Sequence, residues 1–339
     1  MPFQHRGIAH VTLIFAMSLL MNCTWAAWER QTPADAGIDA AQLAALDKEI
    51  AGGQFPVDAL LIARNGKLVT EKYLNGTAAN QRLPIYSCTK SITGALVGIA
   101  IADHKISGTD ATLGSLLPNL KLPADKSAIK LENLLSLTAG FKWALGSDDR
   151  DMYQQQDWLN YVVNKPLVTE PGTRFVYNSG VSHLLAAVVQ QASKQDLLTY
   201  ANTKLFGPLG ISDVNWSSDP KGIRAGGFGL ELRLPDLLKI GQLYLDQGRW
   251  QDKQLIPESW VATSTTKHIY SDHDDMNYGY QWYIDPKGRY FAAFGLGSEG
   301  HRMLAVVPDK KLVVLLLGHF SGPSQARDIL EDYLIPAAQ

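Results

Sequence analysis

Two cysteines in 339 residues leave little scope for disulfide chemistry. Cys23 falls in a leader-like first stretch, so in an exported mature chain Cys88 stands alone and no intramolecular disulfide forms. Charge of one sign is missing as well. With 31 Lys and Arg against 33 Asp and Glu, the formal net charge is -2, and no arginine- or lysine-rich run offers a face to a phosphate backbone. Nucleic acid is therefore not an expected partner. Repeats and low-complexity linkers are lacking, while 46% hydrophobic and 19% charged residues describe a chain able to bury a large core in one or two compact domains. Neither Gly-x-Ser-x-Gly, the exposed-serine turn of α/β-hydrolases, nor His-Glu-x-x-His, the helix motif of common zinc proteases, occurs.

A bilayer-length apolar run is also absent from the N-terminus. The stretch Val11 to Met21 is too short to span a membrane comfortably. With Arg6 in its head and Ala26 and Ala27 at its exit, it predicts a signal peptide over residues 1–26 and a secreted or periplasmic protein, an N-terminal anchor being the alternative. Residues 27–339 are then expected to form one domain, without stable membrane insertion. The sequence does not speak to oligomeric state.

Within that domain, "AGIDAAQLAALDKEIAGG" predicts an amphipathic helix ended by Gly52 and Gly53. Two apolar runs around Arg64-Asn65-Gly66-Lys67 predict a tight hairpin. A second hairpin is expected where "HRMLAVV" and "KLVVLLL" flank Pro308-Asp309-Lys310, followed by a last helix over about 325–334. Between these ends, segments such as "LENLLSLTAG", "SHLLAAVVQQASKQDLLTYANTKLF" and "LPDLLKIGQLYLDQG" carry apolar residues at helical spacing. The fold class expected is α+β: an antiparallel sheet built from both chain ends and flanked by helices, with an all-helical subdomain inserted at about 104–260.

The segment "PIYSCTKSITGALVGIAIA" leads from an extended run into an almost uncharged helix. Ser87 and Lys90 are spaced i, i+3 at its start and share one face. A serine hydroxyl needs a base to become a nucleophile, and burial lowers the pKa of a lysine enough to make it one. The plain alternative makes Ser87 a helix cap, Lys90 a solvated residue and Cys88 a small buried neighbour. Spacing alone does not decide, since Ser127/Lys130, Ser218/Lys221 and Ser264/Lys267 repeat it. In "EPGTRFVYNSGVSHLLAAVV", Tyr177 precedes a helix, where it either relays a proton or simply packs. "SDHDDMNYGYQWYI" reads as a solvated loop over a site, its four acidic and histidine side chains at 272–275 being poor candidates to converge on an ion. Trp282 and Tyr283 either line a pocket or pack.

Together, "IYSCTKSITGALVGIAI", "IKLENLLSLTAGF", "EPGTRFVYNSGVSHLLAAVV", "LFGPLGI" and "LPDLLKIGQLYLDQGRW" resemble, in order and spacing over most of the mature chain, the serine beta-lactamase and penicillin-binding superfamily. The resemblance is to its class C-like branch of esterases, D-amino-peptide hydrolases and 6-aminohexanoate-dimer hydrolases. It implies the beta-lactamase/transpeptidase fold, Ser87 as nucleophile, and Lys90 and Tyr177 managing its proton. It also implies a third element on an edge strand beside the serine. Ser298-Glu299-Gly300 matches that element, with the His301 and Ser87 amides as oxyanion donors, and Gly295-Leu296-Gly297 is the competing register. Two departures stand out. Ser179 replaces the usual Asn, and neither register opens with the cation that binds a substrate carboxylate, although His301 and Arg302 lie close by in sequence. The expectation is a cofactor- and metal-independent hydrolase forming an acyl-enzyme on a small ester, linear amide or peptide-like substrate. A beta-lactamase or D-Ala carboxypeptidase is one rival, and a non-catalytic penicillin-recognising sensor is the other.

Overall fold

The protein is seen in a computed structural model that describes residues 28–272 and 274–339. The signal-peptide expectation, Cys23 and His273 lie outside the described residues.

The main sheet is built from β1 (Val57–Arg64), β2 (Lys67–Tyr73), β3 (Ile269–Ser271), β4 (Met276–Tyr278), β5 (Tyr283–Ile284), β6 (Phe291–Gly295), β7 (His301–Val307) and β8 (Leu312–Gly318). Its order is β2-β1-β8-β7-β6-β5-β4-β3, antiparallel throughout, so both chain ends supply it. The hairpin at Asn65-Gly66 is closed by two left-handed residues, φ 52° and 78°, which match the strand twist. The later hairpin pairs Val307 with Leu312. β1 and β8 are buried along their whole length. Structure therefore covers both faces of the sheet, and these strands read as apolar runs without alternation.

Helix α1 (Ala40–Ala51) is capped by Asp39, whose carboxylate accepts from the Ala41 amide at 2.8 Å, and it packs on the C-terminal helical stretch Ile329–Leu334 and Ile335–Ala337. Helix α2 (Cys88–Ala102) is buried from Cys88 to Ala100, between β6 and helix α3 (Ser179–Ser193). Gly98 permits this depth, since a Cβ there would sit 2.3 Å from the Trp260 ring. The predicted long helical run after Ser179 breaks at Lys194, which is left-handed at φ 57°, and restarts as Leu197–Ala201 under an Asp196 cap. Helix α4 (Leu234–Leu245) lies on β1, β7 and β8. The stretch between the sheet's two halves also holds a small sheet of Arg82–Pro84, Leu230–Arg233 and Asn215–Trp216.

Candidate active site

Ser87 sits at the N-cap of α2 with helical dihedrals, and its side chain makes no capping hydrogen bond. The amides of Cys88, Thr89 and Lys90 are taken by the carbonyls of Ile85, Tyr86 and Ser87 at 3.1, 3.0 and 3.0 Å. The Ser87 amide takes no part in these turns. The turn itself is strained, because Tyr86 is left-handed at φ 47°, a conformation that costs an aromatic residue on the order of 1–2 kcal/mol. Three contacts hold it there. Thr89 Oγ1 donates to Tyr86 O at 2.6 Å, the Glu299 amide donates to Tyr86 Oη at 3.1 Å, and the Arg302 guanidinium lies 4.8 Å from the Tyr86 ring centre.

Lys90 is not a solvated first-turn residue: it is 2% exposed. Its Nζ lies 3.2 Å from Ser87 Oγ and 3.2 Å from Ser179 Oγ, and it donates to Gly227 O at 2.8 Å. Burial pushes its pKa down to about 7, with nearby Asp149 and Cys88 pulling the other way. The Tyr177 ring stands 4.7 Å from the same Nζ. Burial holds the Tyr177 phenol far above its usual range despite an opposing hydrogen bond with Ser87, so it stays protonated at neutral pH. A hydroxyl, an amine of lowered basicity and a protonated phenol thus converge, a set suited to moving a proton onto and off a serine. Cys88 faces away into the core, and burial raises its thiol to about 12.

These groups open on a cleft of about 960 Å³. Ser87, Tyr177, Ser179 and Ser298 line it, with Tyr86, Tyr153, Phe228, Tyr283 and Phe294 as aromatic walls. Tyr283 is therefore a wall residue, whereas Trp282 packs against Tyr244 and Phe291. The stretch lying against the serine turn is Gly295-Leu296-Gly297. A Cβ at Gly295 would come within 2.2 Å of Ile85 O, and one at Gly297 within 2.0 Å of the Tyr86 ring. Gly300, left-handed at φ 87°, turns the chain into β7, and His301 opens that strand opposite Gly318. Neither lines the cleft. Arg302 is buried and donates to the carbonyls of Glu299 and Gly300 at 2.8 and 2.6 Å, so it braces the loop. Among the described residues, the cations on the cleft wall are Arg150 and Arg327.

Sequence reasoning missed Asp149, a buried carboxylate on the wall that accepts from the Gly146 amide at 2.8 Å, because nothing local sets it apart from Asp148 or Asp151. It also missed Gly227 and Phe228, although "AGGFG" is a signal for close backbone approach. Asp274, from the loop read as lying over a site, does reach the cleft, and its Oδ2 accepts from Ser271 Oγ at 2.8 Å.

The profile of the family described as Beta-lactamase matches residues 43–339. Among curated proteins, the chain is similar to "Protein flp" of Staphylococcus aureus, 22% identical over 275 residues that are 77% of this chain and 51% of that protein. The chain thus spans about half the length of these relatives. It is also 22% identical over 297 residues to the 6-aminohexanoate-dimer hydrolase of Paenarthrobacter ureafaciens, covering 78% of this chain and 73% of that one. Among solved structures it is similar to EstCE1, a hydrolase with promiscuous acyltransferase activity, with a TM-score of 0.71 and 18% identity over 87% of this chain and 98% of that chain. Fold, site geometry and family profile agree: the chain belongs to the beta-lactamase family, within the serine beta-lactamase and penicillin-binding protein superfamily, and two of the three similar proteins named here carry the name hydrolase.

Proposed function

We propose that this protein is a serine hydrolase that forms an acyl-enzyme on a carboxylic ester or a linear amide. The observation that carries the reading is the surroundings of Lys90 Nζ. A neutral amine has two N–H bonds and one lone pair. Gly227 O, at 2.8 Å, accepts one N–H, and Ser179 Oγ, at 3.2 Å, accepts the other. The lone pair is then left for the hydroxyl of Ser87, also at 3.2 Å. An amine with a pKa of about 7 is a competent base at neutral pH.

In this reading Lys90 takes the Ser87 proton as Oγ bonds to the substrate carbonyl carbon. The oxyanion formed is held by the Ser87 amide and a second amide from the 296–298 stretch against the serine turn, donors typically worth about 3–4 kcal/mol each. The proton passes to the leaving alcohol or amine, with the protonated phenol of Tyr177 as its relay, and the C–O or C–N bond breaks. Water then adds to the acyl carbon and loses its proton to the same groups, which frees the acid and Ser87. The aromatic walls suit an apolar acyl chain, and no cation stands in the 295–297 stretch to anchor a lactam carboxylate. An ester or linear amide is therefore favoured over a lactam. The export expected from residues 1–26 joins this proposal, and N-terminal sequencing of the exported protein tests it.

The test of function uses a fluorophosphonate probe and p-nitrophenyl butyrate on wild type and Ser87→Ala. Labelling and turnover that both vanish in the variant support the hydrolase. Labelling without turnover supports the sensor reading, and a folded wild type that neither labels nor turns over sinks the nucleophile assignment.

A further inference from the structure

One turn into α3 stands His183, fully buried, with Nε2 3.2 Å from Asp219 Oδ2 and both side chains closed to solvent. Asp219 heads a loop that returns to the cleft, and its Oδ1 accepts from the amides of Lys221 and Ile223 at 2.9 and 2.8 Å. Burial works to raise its carboxyl, but the His183 contact and these amides hold it below the usual carboxylate range. His183 Nδ1 is buried without a partner among the described residues, so the polar capacity of the ring is spent on Asp219 alone. A buried polar pair of this kind is a poor source of net stability, since packed apolar side chains do as well, and its value lies in fixing one arrangement.

The arrangement fixed here is that of the loop on α3. A Cβ at Gly226 would fall 2.2 Å from Ser182 O, and one at Gly227 would fall 2.9 Å from Ser179 O and 3.1 Å from Lys90 Nζ. Thr93 Oγ1 donates to Gly226 O at 2.8 Å, next to the bond from Lys90 to Gly227 O. On its other side His183 meets the Trp158 ring at 5.2 Å, and Trp158 meets the cleft-wall ring of Phe228 at 5.7 Å. The ring thus sits at the junction of loop, helix and cleft wall.

We propose that His183 and Asp219 are a buried positioning pair that clamps the loop from Asp219 to Gly229 onto α3. The Gly227 carbonyl thereby takes one N–H of Lys90 and aims the lone pair of the amine at Ser87. This rests on Lys90 acting as the base. The other titratable groups facing Lys90 are Cys88 on its own helix, Asp149 from Ser147–Tyr153 and Tyr177 ahead of α3, and none of them contacts the pair.

The experiment compares His183→Phe, which keeps a ring but loses the N–H, with His183→Gln, which keeps a donor. In His183→Phe, kcat on p-nitrophenyl butyrate is expected to fall about tenfold or more with KM within about twofold, because the base is misaimed while the cleft still binds. The titration of the Lys90 Cε resonance in ¹³C-lysine-labelled protein is expected to move to lower pH. Loss of the carbonyl acceptor penalises the ammonium more than the amine. His183→Gln recovers most of both effects. A folded His183→Phe with wild-type kcat and an unmoved Lys90 titration overturns the proposal, as does an equal loss in both variants with the titration unmoved. If His183→Phe does not fold, Asp219→Asn, which keeps an oxygen for the two loop amides, decides by the same readings. The Lys90 titration needs no turnover, so failure here is distinct from failure of the hydrolase reading, which shows as absence of Ser87-dependent labelling.

Discussion

Lys90 Nζ donates a 2.8 Å hydrogen bond to the carbonyl of Gly227, a residue 137 positions further along the chain. That bond, made in a site closed to water, joins the start of α2 to the loop packed on α3. Burial, against the pull of that acceptor, leaves the lysine with a pKa of about 7.

The pH dependence of ester turnover follows from this value. Lys90 serves as a base only when neutral, so kcat/KM is expected to rise with pH through a single acid limb near 7 and to be lost below it. Lys90→Arg, whose guanidinium keeps its proton, should lose activity by at least about a hundredfold at every pH. A pH-rate profile of both proteins checks this, and a flat profile from pH 6 to 9 would count against Lys90 as the base.

Stability carries the same signature. The unfolded chain holds the Lys90 proton up to the ordinary lysine value of 10.5, while the folded chain releases it at about 7. Between those values the unfolded state binds more protons, so this group costs most stability below 7 and progressively less as pH rises toward 10.5. The difference in melting temperature between wild type and Lys90→Met is therefore expected to shift in favour of wild type as the pH is raised across that window. Thermal melts at several pH values read it directly, and a constant difference contradicts the buried-amine account.

Cys88 lies next to the nucleophile in sequence and is expected to be chemically silent. With the thiol held near 12 and closed off by the core, iodoacetamide at pH 8 should label unfolded protein and leave native protein unmodified. Cys88→Ala should keep ester turnover within about threefold, at a cost in stability of about 1 kcal/mol for the lost packing. Rapid native-state alkylation that abolishes activity would reassign the site.

Gly297 is expected to tolerate no side chain. In Gly297→Ala the new methyl would meet the Tyr86 ring at 2.0 Å, and Tyr86 is already held left-handed ahead of Ser87. Displacing that ring moves the nucleophile, so kcat should drop about tenfold or more. Gly322→Ala is the control, since nothing lies within 4 Å of its Cβ and its φ of 170° is extended backbone. Turnover of both variants, with melting curves, separates a site effect from a backbone one.

Much of the fold was legible in the sequence because the responsible forces are local. Asn65-Gly66 favours a primed turn, Gly52 and Gly53 end α1, and apolar runs at 59–63 and 312–317 beside turn residues read as strands. Ser87, Lys90 and Tyr177 were legible as a resemblance, and spacing alone left three decoys with the same pattern. Asp149, Gly227, His183 and Asp219 were not legible, because their surroundings come from segments tens of residues away. The stretch beside the serine turn was ambiguous for a related reason. The chain from Gly295 to Gly300 has a glycine available to either register, and both meet Tyr86, Gly297 at its ring and the Glu299 amide at its hydroxyl.

The sequence by itself determined the residue types and the order of elements: a serine three positions before a lysine, at the mouth of a helix too apolar to be anywhere but inside. Tertiary structure decided what that lysine is. Burial between α3, the Gly227 loop and the Tyr177 ring removes the water that would keep it charged, and Gly227 O and Ser179 Oγ, the acceptors for its two N–H bonds in the proposed reading, leave its lone pair to Ser87. Desolvation and direction both depend on atoms far apart in sequence, and they exist only once the chain has closed around them.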